Sequence, residues 1–583
     1  EASFFAIINA QIPDLNGVYK VKTVVNHKSV IIDFDGDLAG VPTLADESTA
    51  DLYGSLYKFI SVRMDSMDNV NDNIAYNVWR NRNDALDTPG DKVFTDADST
   101  GLWRVYEKQN AYSVFRQLSP DTTTTQQDFG TQIVARNDGR TAVVSAPKKG
   151  QGEIHFLFRR TASAGTEFQT QSTVTTTAGN DNTGRLGYSL TMSTDENFVV
   201  AGAPFANSIG SDGSTRFADA GLIEIFVWDH TRFTYSELNT LLPPTDEASQ
   251  NFGWAHKICE PTIDSIRSTP VKYLFVSAPG ISTDTGAVYM YEWGVGSDGS
   301  TYDTWTQNLT ISSNDPASNK RFGHALAAND NGDILAVSSK APGKAGMVEI
   351  FTRTSQSNDD SVDHSFTLVQ TLSAVSSDGS SVNTQFGDSI AMSKDGTTLM
   401  ITAPGLDVGN QADAGAVYYY KWDADGDSTL AYTLQQTINA PDGQINNKFG
   451  SSIDINDDAT RLVIGAENNG NSRQMLFDLD ATTFDLQDTR FVDSNTGSGG
   501  AYTATKYNTK FIIDERLVTT SVSANDDFGR GVCVIDNTVF VGAPDDEGNV
   551  GSDGSSLVAD DGTVTIFDAN KSGEYAWKNI TTE

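Results

Sequence analysis

Two cysteines and six histidines are all that 583 residues offer for soft-metal, thiol or imidazole chemistry. Cys259 and Cys533 lie far apart in apolar strand-like contexts, HKICE and GVCVI. So few thiols exclude a disulfide scaffold, and a zinc site would need more thiols or clustered histidines. His27, His155, His230, His256, His324 and His364 are scattered instead. Long apolar runs are also missing: none approaches the ~18 residues that a spanning helix requires, so membrane insertion is not expected. Cations are scarce, with 40 Lys and Arg against 77 Asp and Glu and a formal charge of −37. Such a surface repels nucleic-acid phosphates and anionic membranes, which removes both as expected partners. No HExxH, GxSxG elbow, P-loop or CxxC occurs. Sustained 3.6-residue periodicity is rare, so little helix is expected. The start at Glu1, with no signal-like pattern after it, suggests a processed or trimmed product.

What the chain has is a repeat. A bulky apolar residue followed by glycine occurs at Phe129-Gly130, Leu186-Gly187, Phe252-Gly253, Phe322-Gly323, Phe386-Gly387, Phe449-Gly450 and Phe528-Gly529, at spacings of 57 to 79 residues. Six of these pairs are followed by a second apolar run that ends in a small-residue turn. The turns are SAP at 145–147, GAP at 202–204, SAP at 277–279, KAP at 340–342, TAP at 402–404 and GAP at 542–544. In the remaining repeat Gly465-Ala466-Glu467 stands there. Units of this length must bury their apolar faces against their neighbours.

The unit at 386–440 reads most clearly. FGDSIAMS, TTLMITAP, AGAVYYYKW and TLQQTINA alternate like four antiparallel strands, with Asp395-Gly396 and DADGD as turns. Four short strands repeated seven times predict an all-β protein, a seven-bladed β-propeller of four-stranded antiparallel blades over residues 123–583. A small β-rich region precedes it: an attachment domain at 1–62, and a connector with a β-hairpin at 63–122. Two blades look irregular, the third through an insertion (CEPTIDSIRSTPVKY) and the sixth through the long stretch 488–525. Both 111–119 and 575–582 resemble a fourth strand, and one of them should close the last blade.

On these pairs and turns the chain resembles the FG-GAP repeat family, the propeller found in integrin α-subunit heads and in many bacterial, algal and phage surface proteins. The resemblance covers about 460 residues. Many family members carry a DxDxDG calcium loop between strands one and two; here those turns read RNDGR, STDEN, NDNGD, SKDGT, NDDAT and IDNT. Asn329, Asp330, Asn331 and Asp333 come nearest, and a plain hairpin turn is the favoured reading there. The segment 88–108, with Gly90-Asp91-Lys92-Val93 and Trp103-Arg104-Val105-Tyr106, resembles connector segments of marine bacteriophage tail and fibre proteins.

Calcium is the one cofactor that any spacing admits. Asp33, Asp35 and Asp37, like Asp423, Asp425 and Asp427, alternate as in the opening of a calcium loop. Position twelve holds Leu44 or Leu434 instead of a bidentate acid, and Asp-Gly turns produce the same pattern, so a turn is favoured over a metal.

Binding is expected on the long, polar loops between strands two and three, which share a face with the loops joining one blade to the next. The candidate contacts are Phe205, Arg216, Phe217, Asp407, Asn410, Asp545, Asp546 and Asp553. The sequence-based expectation is a non-catalytic structural or receptor-binding part of a multicopy extracellular assembly. A phage tail or fibre at the virion surface leads. It would hold other structural proteins through the N-terminal region and a host glycan or protein through the loops. A secreted or cell-surface adhesin is the runner-up, and a carbohydrate-active enzyme the third reading. No enzyme activity is expected: the nearest approach to a sialidase Asp-box, SKDGTTLM, has its glycine one place early and no tryptophan.

Overall fold

A computed structural model describes most of residues 128–569, together with strand backbones at 4–8, 17–26, 29–33, 55–58, 102–106, 112–118 and 577–581. The chain divides into two compact units, the larger of which spans 114–472 and 493–568. That unit is a seven-bladed β-propeller. Six blades are continuous in sequence, at 133–175, 189–241, 256–311, 322–373, 390–439 and 452–517. The seventh combines Val532–Ile535, Thr538–Ala543 and Thr563–Ala569 with the upstream strand Tyr112–Leu118. The ring is therefore closed by the earlier of the two candidate strands. The later one, Trp577–Thr581, pairs with Leu102–Tyr106. In the smaller unit Phe4–Ile8 pairs antiparallel with Gly17–Asn26 and with Ser55–Lys58.

Strand character follows position in the blade. The second strand is covered on both faces by neighbouring blades, so it reads as a near-continuous apolar run. Thr141–Ala146, Phe198–Ala203 and Thr398–Ala403 are buried at every residue. The outermost strand keeps one face in water and alternates, as in Ser361–Ser373, where Phe366 and Leu368 turn inward while Thr367 and Val369 are exposed. A one-residue bulge recurs in the fourth strand of six blades, at residues 171, 238, 308, 369, 435 and 514. A bulge adds local twist and bends the outer strand around the blade. In the sixth blade, strands three and four are Gly500–Tyr507 and Lys510–Leu517. The Gly/Ser-rich stretch therefore falls, in sequence, between strands two and three of this blade and not after it.

The apolar-Gly pair staples one blade to the next. The backbone N–H groups of Leu186, Phe252, Phe322 and Phe449 donate to the carbonyls of Gln151, Ala220, Thr285 and Ala414 in the preceding blade, at 2.8 to 3.1 Å. Each of those acceptors precedes a second glycine, the residue before strand three. Seven such glycines (152, 221, 286, 346, 415, 499 and 562) lie so close to the next bulky residue that a Cβ would overlap its backbone. Within each blade the pair's own glycine returns to strand two: Gly130 N donates to Ser145 O at 2.9 Å and Gly529 N to Gly542 O at 2.8 Å. The two cysteines are buried and free, and burial pushes the Cys259 thiol up to about 12. His155 packs edge-on against Phe129 at 5.1 Å.

Candidate functional site at the axial mouth

Each chain segment that enters a blade makes the same backbone excursion. The residue before the apolar-Gly pair is left-handed in all seven blades, with φ between 50° and 55°: Asp128, Arg185, Asn251, Arg321, Gln385, Lys448 and Asp527. Glycine adopts this conformation without steric cost, whereas an L-residue loses about 1–2 kcal/mol. None of the seven is glycine, and all carry polar or charged side chains. The residues just after the pair form a second ring: Thr131, Tyr188, Trp254, His324, Asp388, Ser451 and Arg530. Both rings lie on the face where strand two ends in its small-residue turn.

A cavity of about 110 Å³ opens there, lined by Asp128, Thr131, Pro147, Lys148, Arg185, Tyr188, Asp527, Arg530, Pro544 and Asp545. Three cations thus meet three carboxylates in a chain whose overall charge is −37. Lys148 pairs with Asp128 at 2.9 Å. Arg530 lies 3.2 Å from Glu467 and 3.7 Å from Asp527, and Lys448 lies 3.6 Å from Glu467. Glu467 is the residue that breaks the proline motif of the sixth repeat; the departure brings a carboxylate to the mouth.

Lys340, the other departure, behaves likewise. Two added residues put Ser338, not Lys340, at the place of Ser277: the Ser277 hydroxyl accepts from Ala255 N and that of Ser338 from Ala325 N. Lys340 is left to pair with Asp388, which also lies 3.2 Å from His324 Nε2. Burial alone would raise the Asp388 carboxyl, but His324 and Lys340 together hold it below the ordinary range.

Asp527 behaves in the opposite way. Burial, then the charges of Glu467 and Asp545, push its carboxyl up to about 7, and Asp545 is hydrogen bonded to it. Two carboxyls in hydrogen-bond contact need one proton between them. Burial likewise raises the Tyr188 phenol, whose electrostatic neighbours are Arg530, Arg185, Asp388 and Arg321.

Of the loop residues expected to make contacts, Phe205 and Asp545 belong to this site. Phe205 packs against Tyr188 and Trp254 under the Arg185 guanidinium. Arg216 and Phe217 instead form a two-residue strand paired with Ser208–Ile209, and Arg216 donates to Asn207 O at 3.1 Å. Asp407 caps its own loop by accepting from Asp413 N at 2.9 Å. Asp546 is 4% exposed and accepts from Thr563 Oγ1 at 2.6 Å, so it anchors the loop and presents nothing to a ligand. Asn410 and Asp553 lie outside the described residues.

So do Asp35, Asp37, Asp425, Asp427 and the side chains of Asp33 and Asp423. Among the described residues no group of three or more His, Cys, Asp or Glu could hold a metal. The Asn329 turn is closed by its own side chain, whose Oδ1 accepts from Asp333 N at 3.1 Å and Ile334 N at 3.0 Å.

No family model matches the chain. No curated protein matches it either. Solved structures similar to it include a protein from Bacteroides uniformis ATCC 8492 provisionally named a 6-phosphogluconolactonase, with 11% identity and a TM-score of 0.39, covering 67% of this chain and 86% of that one. The periplasmic gluconolactonase PpgL of Pseudomonas aeruginosa has 12% identity and a TM-score of 0.38, covering 68% and 86%. Sqt1 of Saccharomyces cerevisiae has 10% identity and a TM-score of 0.36, covering 75% and 83%. Likeness at this level transfers no residue role or reaction.

It does correct two expectations. Among these similar structures are proteins named as enzymes. The step from propeller to a non-catalytic tail, fibre or adhesin component is therefore withdrawn, and with it the exclusion of enzyme activity. The physical reason is that function resides in sites on a fold, and one scaffold hosts many of them. The similarity of this chain to those proteins is one of β-propeller to β-propeller.

Proposed function

We propose that the protein binds a small polar ligand at the axial mouth of its propeller, with the Asp527–Asp545 couple as the proton-exchanging group of that site. The observation that carries this reading is the ring of seven left-handed positions with no glycine among them. Three of the seven, Asp128, Arg185 and Asp527, line the cavity, and backbone strain retained there by residues other than glycine fits side chains kept for use. The two departures from the repeat motif, Lys340 and Glu467, support the same reading because both place a charge at this mouth. A cavity of about 110 Å³ is small beside the ~300–1,000 Å³ of drug-sized sites, which argues for one small unit of a ligand.

The test is a thermal-shift screen of small hydroxylated and anionic compounds at millimolar concentration, run in parallel on Tyr188→Ala. A ligand that binds only the folded state raises Tm by mass action. The expected result is a set of compounds whose stabilisation disappears in the variant. Stabilisation by no compound, or equal stabilisation of both proteins, would remove the reading.

A second reading, acid–base catalysis, has one observation in its favour. A carboxyl held near 7 and hydrogen bonded to a second carboxyl can deliver and take back a proton at neutral pH. Turnover of a screening hit, lost in Asp527→Asn and Asp545→Asn while binding persists, is its expected result; binding without turnover would discard it. We also propose the chain as a divergent FG-GAP propeller, supported by the interblade contact that each apolar-Gly pair makes. An experimental FG-GAP propeller lacking that contact would remove the support.

A further inference from the structure

The axial mouth is chemically divided. On one side Tyr188, Phe205 and Trp254 form a mutually packed trio with ring centroids 4.8 to 5.9 Å apart, each ring half-buried. On the other side stand the carboxylates Asp527 and Asp545, which can accept hydrogen bonds but, when ionised, donate none. Between them Arg185 is exposed, its guanidinium 4.9 Å over the Phe205 ring.

Arg185 differs from the other cations around it. Lys148, Lys340, Lys448 and Arg530 each have a carboxylate within ion-pair distance, whereas Arg185 has none among the described residues. The contact with Phe205 holds the guanidinium at the mouth, and no described carboxylate takes up its N–H groups. A guanidinium presents paired N–H groups that match a carboxylate in bidentate geometry.

Three ligand features follow from these three surfaces. Aromatic faces favour a flat patch of polarised C–H groups. Carboxylate acceptors favour hydroxyl donors. A guanidinium that has no carboxylate partner among the described residues, in a mouth already rich in carboxylates, favours a monoanion over a dianionic phosphate. We propose that the mouth takes one acidic saccharide ring: its carboxylate on Arg185, its C–H face on Tyr188, which Trp254 backs, and its hydroxyls toward Asp527 and Asp545. This rests on the small-ligand reading above and narrows it. The cavity volume suits one ring and not a polymer lying within it.

The experiment is saturation-transfer NMR and calorimetric titration of the intact chain. The probes are glucuronate, galacturonate and mannuronate, their neutral parent sugars, glucose 6-phosphate and acetate. At least one uronate is expected to bind about tenfold more tightly than its parent sugar. Arg185→Gln should bring that uronate down to the level of the parent while leaving the parent unchanged, and Trp254→Ala should weaken both. Unchanged Tm values certify that both variants fold. Three results overturn the inference: no uronate preferred over its parent, glucose 6-phosphate bound more tightly than any uronate, or a preference that survives Arg185→Gln. If no saccharide binds but other compounds from the thermal screen do, the acidic-sugar assignment falls and the axial site stands. If nothing binds in either experiment, both fall.

Discussion

Gly562, which precedes strand three of the seventh blade, lies directly against the backbone of Phe129, which leads into the first. The closure of the ring thus uses the same contact as every other blade junction. Gly221 stands so against Phe252 and Gly286 against Phe322, and both junctions also register as parallel bridges. At each, a φ near 80–90° and the absence of a Cβ let two backbones touch.

Gly562→Ala should therefore be costly. It forces an L-residue to φ +80° and drives a methyl into the Phe129 backbone, for a loss of about 2–4 kcal/mol. Gly150→Ala is the control: its φ is +58° but nothing lies within 4 Å of a built Cβ, so only the conformational cost of about 1 kcal/mol is expected. Urea unfolding of the two variants, compared at equal m-value, checks this; equal losses would refute the stapling role.

Arg185→Gly should separate stability from binding. The substitution relieves the left-handed strain at φ 55°, offset in part by the greater freedom of glycine in the unfolded chain. The expected net change is between zero and about 1 kcal/mol of added stability, with ligand binding lost. A clear loss of stability in denaturant titration would show that Arg185 is kept for folding.

Asp527→Asn should change how stability depends on pH. Folding raises this carboxyl from its ordinary value near 4 to about 7. Between those values the native state holds a proton that the unfolded chain releases, so stability falls as pH rises through the window. The penalty is complete above pH 7 and absent below pH 4. The variant should unfold at higher temperature than the parent at pH 8, by on the order of 1 kcal/mol after screening of this partly exposed group, and the gain should vanish toward pH 4. Tm measured across that range tests it, and a pH-independent difference would sink it.

Truncation tests how the ring is closed. A chain beginning at residue 108 keeps Tyr112–Leu118, whereas one beginning at residue 123 leaves the seventh blade with three strands and an unpaired edge. The shorter protein should unfold at lower temperature and aggregate as its concentration rises, since a bare strand edge is a template for association. Equal thermal stability of the two would contradict the pairing.

Much of this scaffold was legible because its signals are local. Phe386-Gly387, Asp395-Gly396 and the alternation of AVYYYKW report turns and strand faces within a few residues, so the four strands of the fifth blade fall where the pattern puts them. The sixth blade is less legible, because its third strand is separated from the second by more than 30 residues, far beyond the span of a hairpin whose turn would pair them. The contact residues chosen for loop length fared unevenly for a related reason. Length and polarity mark solvent exposure, yet Asp546 is buried as a loop anchor while Arg185 and Arg530, never singled out, reach the cavity. The available signal was the residue on either side of each apolar-Gly pair, polar or aromatic in every repeat.

By itself the sequence determined the number of blades, the face on which the long loops gather and the acidity of the surface. Those depend on periodicity and composition, which no fold is needed to count. Only the tertiary structure decided which strand closes the ring, that Glu467 and Lys340 turn to the mouth, and that Arg185 has no carboxylate partner among the described residues. Ring closure brings together strands more than 400 positions apart, and the ion pairs Arg530–Glu467 and Lys340–Asp388 link neighbouring blades, so these contacts exist only once the ring is closed.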